Sequence, residues 1–388
     1  MSTAKSETLG GAVMLAAAVA AMLWANSAWS AQYESVFSYT VGFGSGAFEL
    51  RKPFGIWIND ALMAVFFLLV GLEIKREMRV GQLSSRERIA LPAIAALGGM
   101  IVPALFFLAF NRSDSLSARG WAVPCATDIA FSLAVLRVVG QRVPQSLRLF
   151  LTAVAVLDDI GAILIIAVFY TAELSMPMLL ASLIPVAALV ALNRARVSSV
   201  VPYAVAGVLL WLCVLKSGIH PTLAGVMVAC AIPLRTQRGP MLEKMESRLQ
   251  PWVVFGILPL FALANAGVSL TGLGFGGVLE PVALGIVLGL FLGKTFGITL
   301  GVIVSGALRL GRRPPDMTWP HVLGIANLCG IGFTMSLLLA ALSYEVAAPH
   351  LFQEAKLGVL VGSTLAAVAG VVVLLLASAR KSPVMPAR

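Results

Sequence analysis

Charged residues are scarce in this sequence. Only 12% of its 388 residues are Asp, Glu, Lys or Arg, whereas 59% are hydrophobic, and its mean hydropathy is +0.94. A soluble globular domain carries about 25% charged residues, so this composition excludes a soluble fold. Three histidines and four cysteines, with no CxxC pair or metal-ligand spacing, argue against a transition-metal site. We expect no cofactor, and we read the cysteines as small buried hydrophobic residues.

The net charge of +10 does not indicate nucleic-acid binding. The basic residues lie in short loops between apolar segments, where membrane topology accounts for them. We therefore expect no nucleic-acid partner. The lipid bilayer is the expected surrounding of a single transmembrane domain over 1–388, since the composition indicates no separate soluble domain.

Apolar segments of membrane-spanning length fill the chain. About 20 residues cross the hydrocarbon at ~1.5 Å per residue, which predicts twelve spans and an all-α polytopic membrane protein. The predicted spans lie near 10–29, 59–80, 90–110, 121–140, 149–170, 178–193, 201–216, 222–235, 250–270, 282–307, 321–343 and 356–379. The outer connection over 30–58 has room for a short hairpin, and we interpret its aromatic residues as an interfacial belt or as a contact surface for a second copy.

Lys and Arg divide unequally between the two sides of this predicted topology. With the N-terminus inside, 21 of the 28 basic residues are cytoplasmic, six are outside, and Lys294 lies within the tenth span. Cytoplasmic loops of membrane proteins carry such an excess, so the sequence predicts that both termini are cytoplasmic.

Two adjacent carboxylates, Asp158 and Asp159, interrupt the apolar fifth span. A charged Asp near the bilayer centre costs about 2.5–3.5 kcal/mol on insertion scales, so the pair indicates ion or proton handling. Consecutive residues diverge by about 100° on a helix. We therefore expect Asp159 to face the cation pathway and Asp158 to face Lys294. Protons and a hard monovalent cation would then compete for the same oxygens.

Two spans are predicted to be broken. Pro124 removes a helical hydrogen bond in the fourth span, and Gly330 and Gly332 interrupt the eleventh. Spans three to five and ten to twelve have opposite topology, and interruptions at matching positions of inverted repeats indicate a transport site. Half-helix ends carry partial charges, which we expect Asp128 and Lys294 to compensate. The expected oxygen ligands for Na⁺ or Li⁺ are Asp158, Asp159, Asp128 and Thr127.

Several stretches resemble the NhaA family of bacterial sodium/proton antiporters, over nearly the whole chain. They are the segment 57–73, Ala126-Thr-Asp-Ile-Ala-Phe131, Leu157-Asp-Asp-Ile-Gly-Ala162, Leu215-Lys-Ser-Gly-Ile-His220, Leu260-Phe-Ala-Leu-Ala-Asn-Ala-Gly-Val268 and Cys329-Gly-Ile-Gly-Phe-Thr-Met-Ser336. The resemblance implies a twelve-span inner-membrane fold with both termini inside and crossed discontinuous helices in spans four and eleven. It also implies pH-regulated, electrogenic exchange of Na⁺ or Li⁺ for H⁺.

The resemblance also assigns roles to individual residues. It implies an ion site at Asp158, Asp159, Asp128 and Thr127, with Lys294 as the mid-membrane lysine. It implies a cytoplasmic funnel and pH-response region formed by Glu73, Arg76, Glu77, Lys216 and Glu246. A loose homodimer through the periplasmic 30–58 connection is likewise implied.

The sequence departs from the family pattern before the ninth span and after Lys294. Members with steep alkaline activation carry a basic residue and histidines where this chain has Glu243, Ser247 and Gln250, and Thr295 replaces a familiar proline. A passive monovalent-cation channel without proton coupling is the alternative function. An intramembrane aspartyl protease needs two opposed aspartates from separate helices, whereas these are adjacent, so we do not expect an enzyme.

Overall fold

The computed structural model describes residues 3–44, 49–140, 143–170, 174–269, 275–311 and 313–379. Residues 380–388, which include the basic residues Arg380, Lys381 and Arg388 and the predicted cytoplasmic C-terminus, lie outside these ranges.

Helices make up most of the described chain. In chain order they are α1 (Thr3–Ala25), α2 (Ser30–Ser38), α3 (Phe54–Val80), α4 (Arg86–Asn111), α5 (Ser115–Cys125), α6 (Ile129–Val139), α7 (Gln145–Phe169), α8 (Met176–Arg194), α9 (Val200–Ser217), α10 (Thr222–Ala231), α11 (Met241–Asn265), α12 (Pro281–Ala307), α13 (Trp319–Cys329), α14 (Phe333–Tyr344) and α15 (Pro349–Ala379). Short 3₁₀ turns occupy Gln82–Ser84 and Phe275–Leu279.

The lengths and hydropathy of these helices fit an all-α membrane protein. Within the described ranges, eight helices are long and apolar enough to cross a bilayer. The pairs α1–α2, α5–α6 and α13–α14 bend by 114°, 46° and 44° at short breaks, and the number rises to eleven if each pair is one span. Helix α10, in the eighth predicted span, has only 10 residues. The count of twelve spans therefore stays a prediction.

The predicted outer connection over 30–58 contains a short antiparallel hairpin. Strand β1 (Thr40–Phe43) pairs with β2 (Leu50–Pro53), and Thr40 lies opposite Pro53. A second, two-residue ladder joins β3 (Arg235–Thr236) to β4 (Gly239–Pro240) just before α11.

Contacts between residues divide the chain into two compact units. The first contains residues 1–11, 85–159 and 273–388, and the second contains residues 12–84 and 160–272. The division falls inside helix α7, immediately after Asp159. The single transporter domain over 1–388 stays a prediction.

In the first unit, α4 and α12 pack backbone against backbone. Five glycines at four-residue spacing line α12, and they are Gly285, Gly289, Gly293, Gly297 and Gly301. A Cβ atom on Gly297 would lie 2.2 Å from the Gly98 carbonyl oxygen, so only glycine fits this crossing. Small residues at such spacing allow helices to approach closely in a membrane, where apolar burial gives no driving force.

The core of the second unit lies between α3 and helices α8 to α11. Leu72, Tyr203 and Leu210 are fully buried in it, and they pack with Val228. Helix α9 ends where Gly218 adopts a left-handed conformation with φ 87°, which glycine reaches without steric strain. This turn directs the chain into the loop that carries His220.

Candidate functional site

Helix α7 carries both adjacent aspartates into the interior. Asp158 is 1% exposed and Asp159 is 3% exposed. The Asp158 Oδ2 atom lies 2.5 Å from Lys294 Nζ and accepts a hydrogen bond from Thr127 Oγ1 at 2.6 Å. Its Oδ1 atom is buried without a hydrogen-bond partner among the residues that the structure describes. Asp158 therefore has one oxygen in an ion pair and one that is still open to a ligand.

Lys294 approaches Asp158 from helix α12 and is fully buried. It follows directly on a π-helical turn over Gly289–Gly293, and its Nζ also donates to Thr127 Oγ1 at 3.1 Å. Inserted turns of this kind redirect side chains and often mark functional positions. Because a Cβ on Gly293 would lie 2.8 Å from Pro103 Cα, the turn packs closely against α4. Lys294 therefore projects from a tightly fixed backbone.

Asp128 caps two helices at once. Its Oδ1 accepts the Phe131 backbone N–H at 3.0 Å, at the start of α6. Its Oδ2 accepts the Thr334 backbone N–H at 3.1 Å and the Thr334 hydroxyl at 2.6 Å, in the first turn of α14. Helix N-termini carry partial positive charge, so a single carboxylate compensates two of them.

The breaks in the two bent helix pairs are joined directly. The Asp128 backbone N–H donates to the Ile331 carbonyl at 2.7 Å, and the Thr127 hydroxyl lies 2.7 Å from the Cys329 carbonyl oxygen. The Thr127 hydroxyl also contacts Asp158, but it has only one proton to donate. The carboxylate and the carbonyl therefore compete for that proton.

A second cluster surrounds Asp60 in the other unit. Asp60 lies in a π-helical turn of α3 and is 7% exposed. Its Oδ2 lies 2.6 Å from Lys52 Nζ on strand β2, and its Oδ1 lies 3.6 Å from His220 Nε2. Burial lowers the pKa of His220 to about 4, and Asp60 only partly opposes this effect. His220 is therefore neutral at pH 7, and its Nδ1 contacts the Thr222 hydroxyl at 2.7 Å.

The predicted funnel residues meet at the far end of α3. Arg76 Nε lies 3.0 Å from Glu246 Oε2, and Arg76 Nη1 lies 2.7 Å from Glu77 Oε1. Glu73 is half-buried one turn earlier on the same helix. Lys216 is not part of this group. It lies in the last turn of α9 and precedes His220, whose ring faces Asp60. Asp60 is about 24 Å from Arg76 along α3.

The sequence predictions did not include three sets of contacts around these clusters. Thr334 joins Asp128, and Lys75 donates to the Cys230 and Ile232 carbonyls at 2.6 Å each, at the end of α10. Asn59 and Asn265 exchange amide hydrogen bonds deep in the second unit. The position of Thr334 just after the Gly330 and Gly332 break was the available signal, because the backbone N–H groups in a first helical turn need a capping acceptor.

Comparisons with known proteins agree on one family. The family model described as Na⁺/H⁺ antiporter 1 matches residues 1–374. The Na⁺/H⁺ antiporter NhaA 2 of Pseudomonas syringae pv. syringae is 51% identical over 373 residues, which cover 95% of this chain and 93% of that protein. NhaA antiporters of Proteus mirabilis and Shewanella frigidimarina are 48% and 47% identical. These alignments cover 95% and 94% of this chain, and 94% and 93% of the two relatives.

Proposed function

This chain belongs to the NhaA family of transmembrane Na⁺/H⁺ antiporters, and we propose that it exchanges cytoplasmic Na⁺ or Li⁺ for external H⁺ at Asp158 and Asp159. Transport proceeds by alternating access, is electrogenic and is regulated by pH. The chain lies in the bacterial inner membrane as one twelve-span domain with both termini in the cytoplasm.

The buried ion pair between Asp158 and Lys294 carries the proposal. The open Oδ1 of Asp158, the Thr127 hydroxyl and the neighbouring Asp159 supply the oxygen ligands that a hard cation prefers. A cation bound there would face the Lys294 charge in a low-dielectric interior, where like charges repel strongly. Cation binding therefore favours proton release from the Asp158–Lys294 pair, and protonation of the carboxylates favours cation release. Asp159 serves as the main cation ligand.

The Thr127 hydroxyl links the state of the site to the broken helices. When Asp158 is ionised, it competes well for the Thr127 proton, because charged acceptors form the stronger hydrogen bonds. When Asp158 is protonated or bound to a cation, that proton is available to the Cys329 carbonyl. Each transport step thus changes one contact at the break before α14.

The two bent pairs, α5–α6 and α13–α14, support discontinuous spans that cross at mid-membrane. Opposing half-helix ends place partial charges at such a crossing, and Asp128 and Lys294 compensate them. Spans three to five and ten to twelve form the inverted repeats of this proposal. The hydrogen bond between Asp128 and Ile331, at 2.7 Å, supports the crossing.

The charged cluster at Arg76 supports a cytoplasmic pH-response region. Arg76 bridges Glu77 and Glu246, which belong to helices α3 and α11, so a change of charge there alters a contact between two helices. The β1–β2 hairpin, tied to α3 by Lys52 and Asp60, supplies an ordered surface for a loose homodimer.

Everted membrane vesicles test the exchange reaction. In vesicles that hold a respiration-driven proton gradient, added Na⁺ or Li⁺ should collapse the gradient, and K⁺ should not. Asp159→Asn should abolish this response while the protein still inserts. The matched control is Asp114→Asn, at an exposed helix cap outside the site, which should respond as the unmodified protein does. No collapse between pH 6.5 and 9 would exclude antiport, and Na⁺ flux that ignores the proton gradient would favour a passive channel.

A further inference from the structure

The last three carbonyl groups of helix α13 have hydrogen-bond partners. The Asn327 carbonyl accepts the Gly330 N–H at 2.8 Å, and the Leu328 carbonyl accepts the Ile331 N–H at 3.1 Å. The Cys329 carbonyl lies against Thr127. Carbonyls at a helix end have no intrahelical partner and carry partial negative charge, so they are natural ligands for a cation.

A buried serine of the other bent pair adds a bond to this end. Ser132 Oγ, in α6, donates to the Leu328 carbonyl at 2.8 Å. The reverse contact is also present, since Ser336 Oγ, in α14, donates to the Val123 carbonyl near the end of α5 at 2.7 Å. Both serines are fully buried. The second helix of each bent pair thus donates a hydroxyl hydrogen bond to the last turn of the first helix in the other pair.

The two serines occupy equivalent positions in their helices. The Ser132 backbone N–H bonds to the carbonyl of Asp128, the residue that precedes α6, at 2.9 Å. The Ser336 backbone N–H bonds to the carbonyl of Gly332, which precedes α14, at 3.0 Å. The pattern is therefore reciprocal, and each hydroxyl acts between helices rather than on its own helix.

We propose that Ser132 and Ser336 are positioning residues of the ion site, which occupy the Leu328 and Val123 carbonyls and thereby fix the oxygens that meet the cation. This inference rests on the proposed Na⁺/H⁺ exchange. A hydroxyl that donates to a helix-end carbonyl takes up one of its lone pairs and holds its direction. Leu328 adjoins Cys329, whose carbonyl shares the Thr127 hydroxyl with Asp158.

Loss of either hydroxyl therefore loosens the site rather than removing a ligand. Li⁺ is smaller than Na⁺ and needs its oxygen ligands closer together, against their mutual repulsion. A site that holds these oxygens less firmly should therefore lose more affinity for Li⁺ than for Na⁺. The apparent KM for Na⁺ should rise roughly two- to tenfold, the factor that corresponds to one net hydrogen bond. The KM for Li⁺ should rise by more, and the maximal rate per folded molecule should change little.

The test compares Ser132→Ala and Ser336→Ala with Ser343→Ala. Ser343 is also buried in α14, but its hydroxyl donates to Leu339 in the same helix at 2.7 Å, so its substitution removes a hydroxyl without touching a break. Purified protein in proteoliposomes is assayed for KM and maximal rate with Na⁺ and Li⁺ separately, and thermal unfolding in detergent measures the amount of folded protein.

Exchange by the unmodified protein is measured first, because its absence would overturn the proposed function as well as this inference. If the unmodified protein exchanges, a raised KM and a raised Li⁺/Na⁺ ratio of KM in both variants, but not in Ser343→Ala, support the positioning role. Values equal to those of Ser343→Ala overturn it. A loss of folded protein in both variants, with Ser343→Ala intact, also overturns it, because the hydroxyls would then serve folding alone.

Discussion

Lys294 Nζ lies 2.5 Å from Asp158 Oδ2, and neither side chain has any exposed surface. Removing one partner of such a pair costs about 3–5 kcal/mol, since the remaining charge is left buried without its counterion. Replacing both partners by neutral groups costs much less. Breaking the pair therefore carries a stability penalty, which mutation can separate from the role we propose for the pair in exchange.

Lys294→Ala should lower the stability of the folded protein by about 3 kcal/mol or more, because it leaves the Asp158 carboxylate uncompensated. Adding Asp158→Asn to this variant should recover most of the loss. Thermal unfolding of the purified proteins in detergent measures both effects. An unchanged midpoint in Lys294→Ala would contradict the assignment of the pair as a structural ion pair.

Asp128→Ala should destabilise the protein by about 2 kcal/mol, since it removes the caps of α6 and α14 and each cap is worth about 1 kcal/mol. Asp128→Asn keeps an acceptor oxygen and should lose less. The control is Asp114→Ala, which removes the single exposed cap of α5 through Leu116 and Ser117. Thermal unfolding should show the largest loss of stability for Asp128→Ala, a smaller loss for Asp128→Asn and the smallest for Asp114→Ala. Equal losses for Asp128→Ala and Asp114→Ala would refute the double cap.

Gly297→Ala should destabilise the fold by more than about 1–3 kcal/mol, the usual cost of overpacking, because the new methyl meets the Gly98 backbone rather than a side chain. Gly306→Ala is the control in the same helix. A Cβ there has no neighbour within 4 Å, so alanine should leave stability equal or raise it by about 0.5–1 kcal/mol. Yields and unfolding midpoints in detergent compare the two, and a well-folded Gly297→Ala would show that α4 and α12 can separate.

His220 should make stability fall as the pH drops below about 6.5. Burial lowers its pKa in the folded protein from the ordinary 6.5 to about 4, so the unfolded chain takes up the proton first. Stability contributed by the neutral ring is thus complete above pH 6.5 and is lost progressively down to about pH 4, by up to about 3 kcal/mol. Asp60 and Lys52 are the charged groups beside it; the carboxylate raises the pKa of His220 and the ammonium group lowers it, both by less than burial does.

The measurement for His220 is the difference in unfolding midpoint between the unmodified protein and His220→Gln from pH 4.5 to 7.5. The other titrating groups are shared by the two proteins and cancel. The unmodified protein should lose stability relative to the variant as the pH falls. A difference that stays constant with pH would refute a depressed pKa.

The positions of the helices were predictable because apolar length and breaking residues act locally. The interruptions at Pro124 and at Gly330 follow from backbone chemistry that each residue carries with it. The energetic cost of buried charge made Lys294 the natural partner for Asp158. The contacts of Ser132 with Leu328 and of Asp128 with Thr334 were beyond prediction, since about 200 residues separate the partners and only the packing of the two bent helix pairs brings them together.

The glycine row of α12 also bears on which parts of the protein move as one. A contact between two backbones has no rotamers to rearrange, so we expect α4 and α12 to move together. Lys294 is attached to that pair and not to a flexible loop. A cysteine cross-link between α4 and α12 should therefore leave exchange intact, because the bond would join two helices that we expect to move as one.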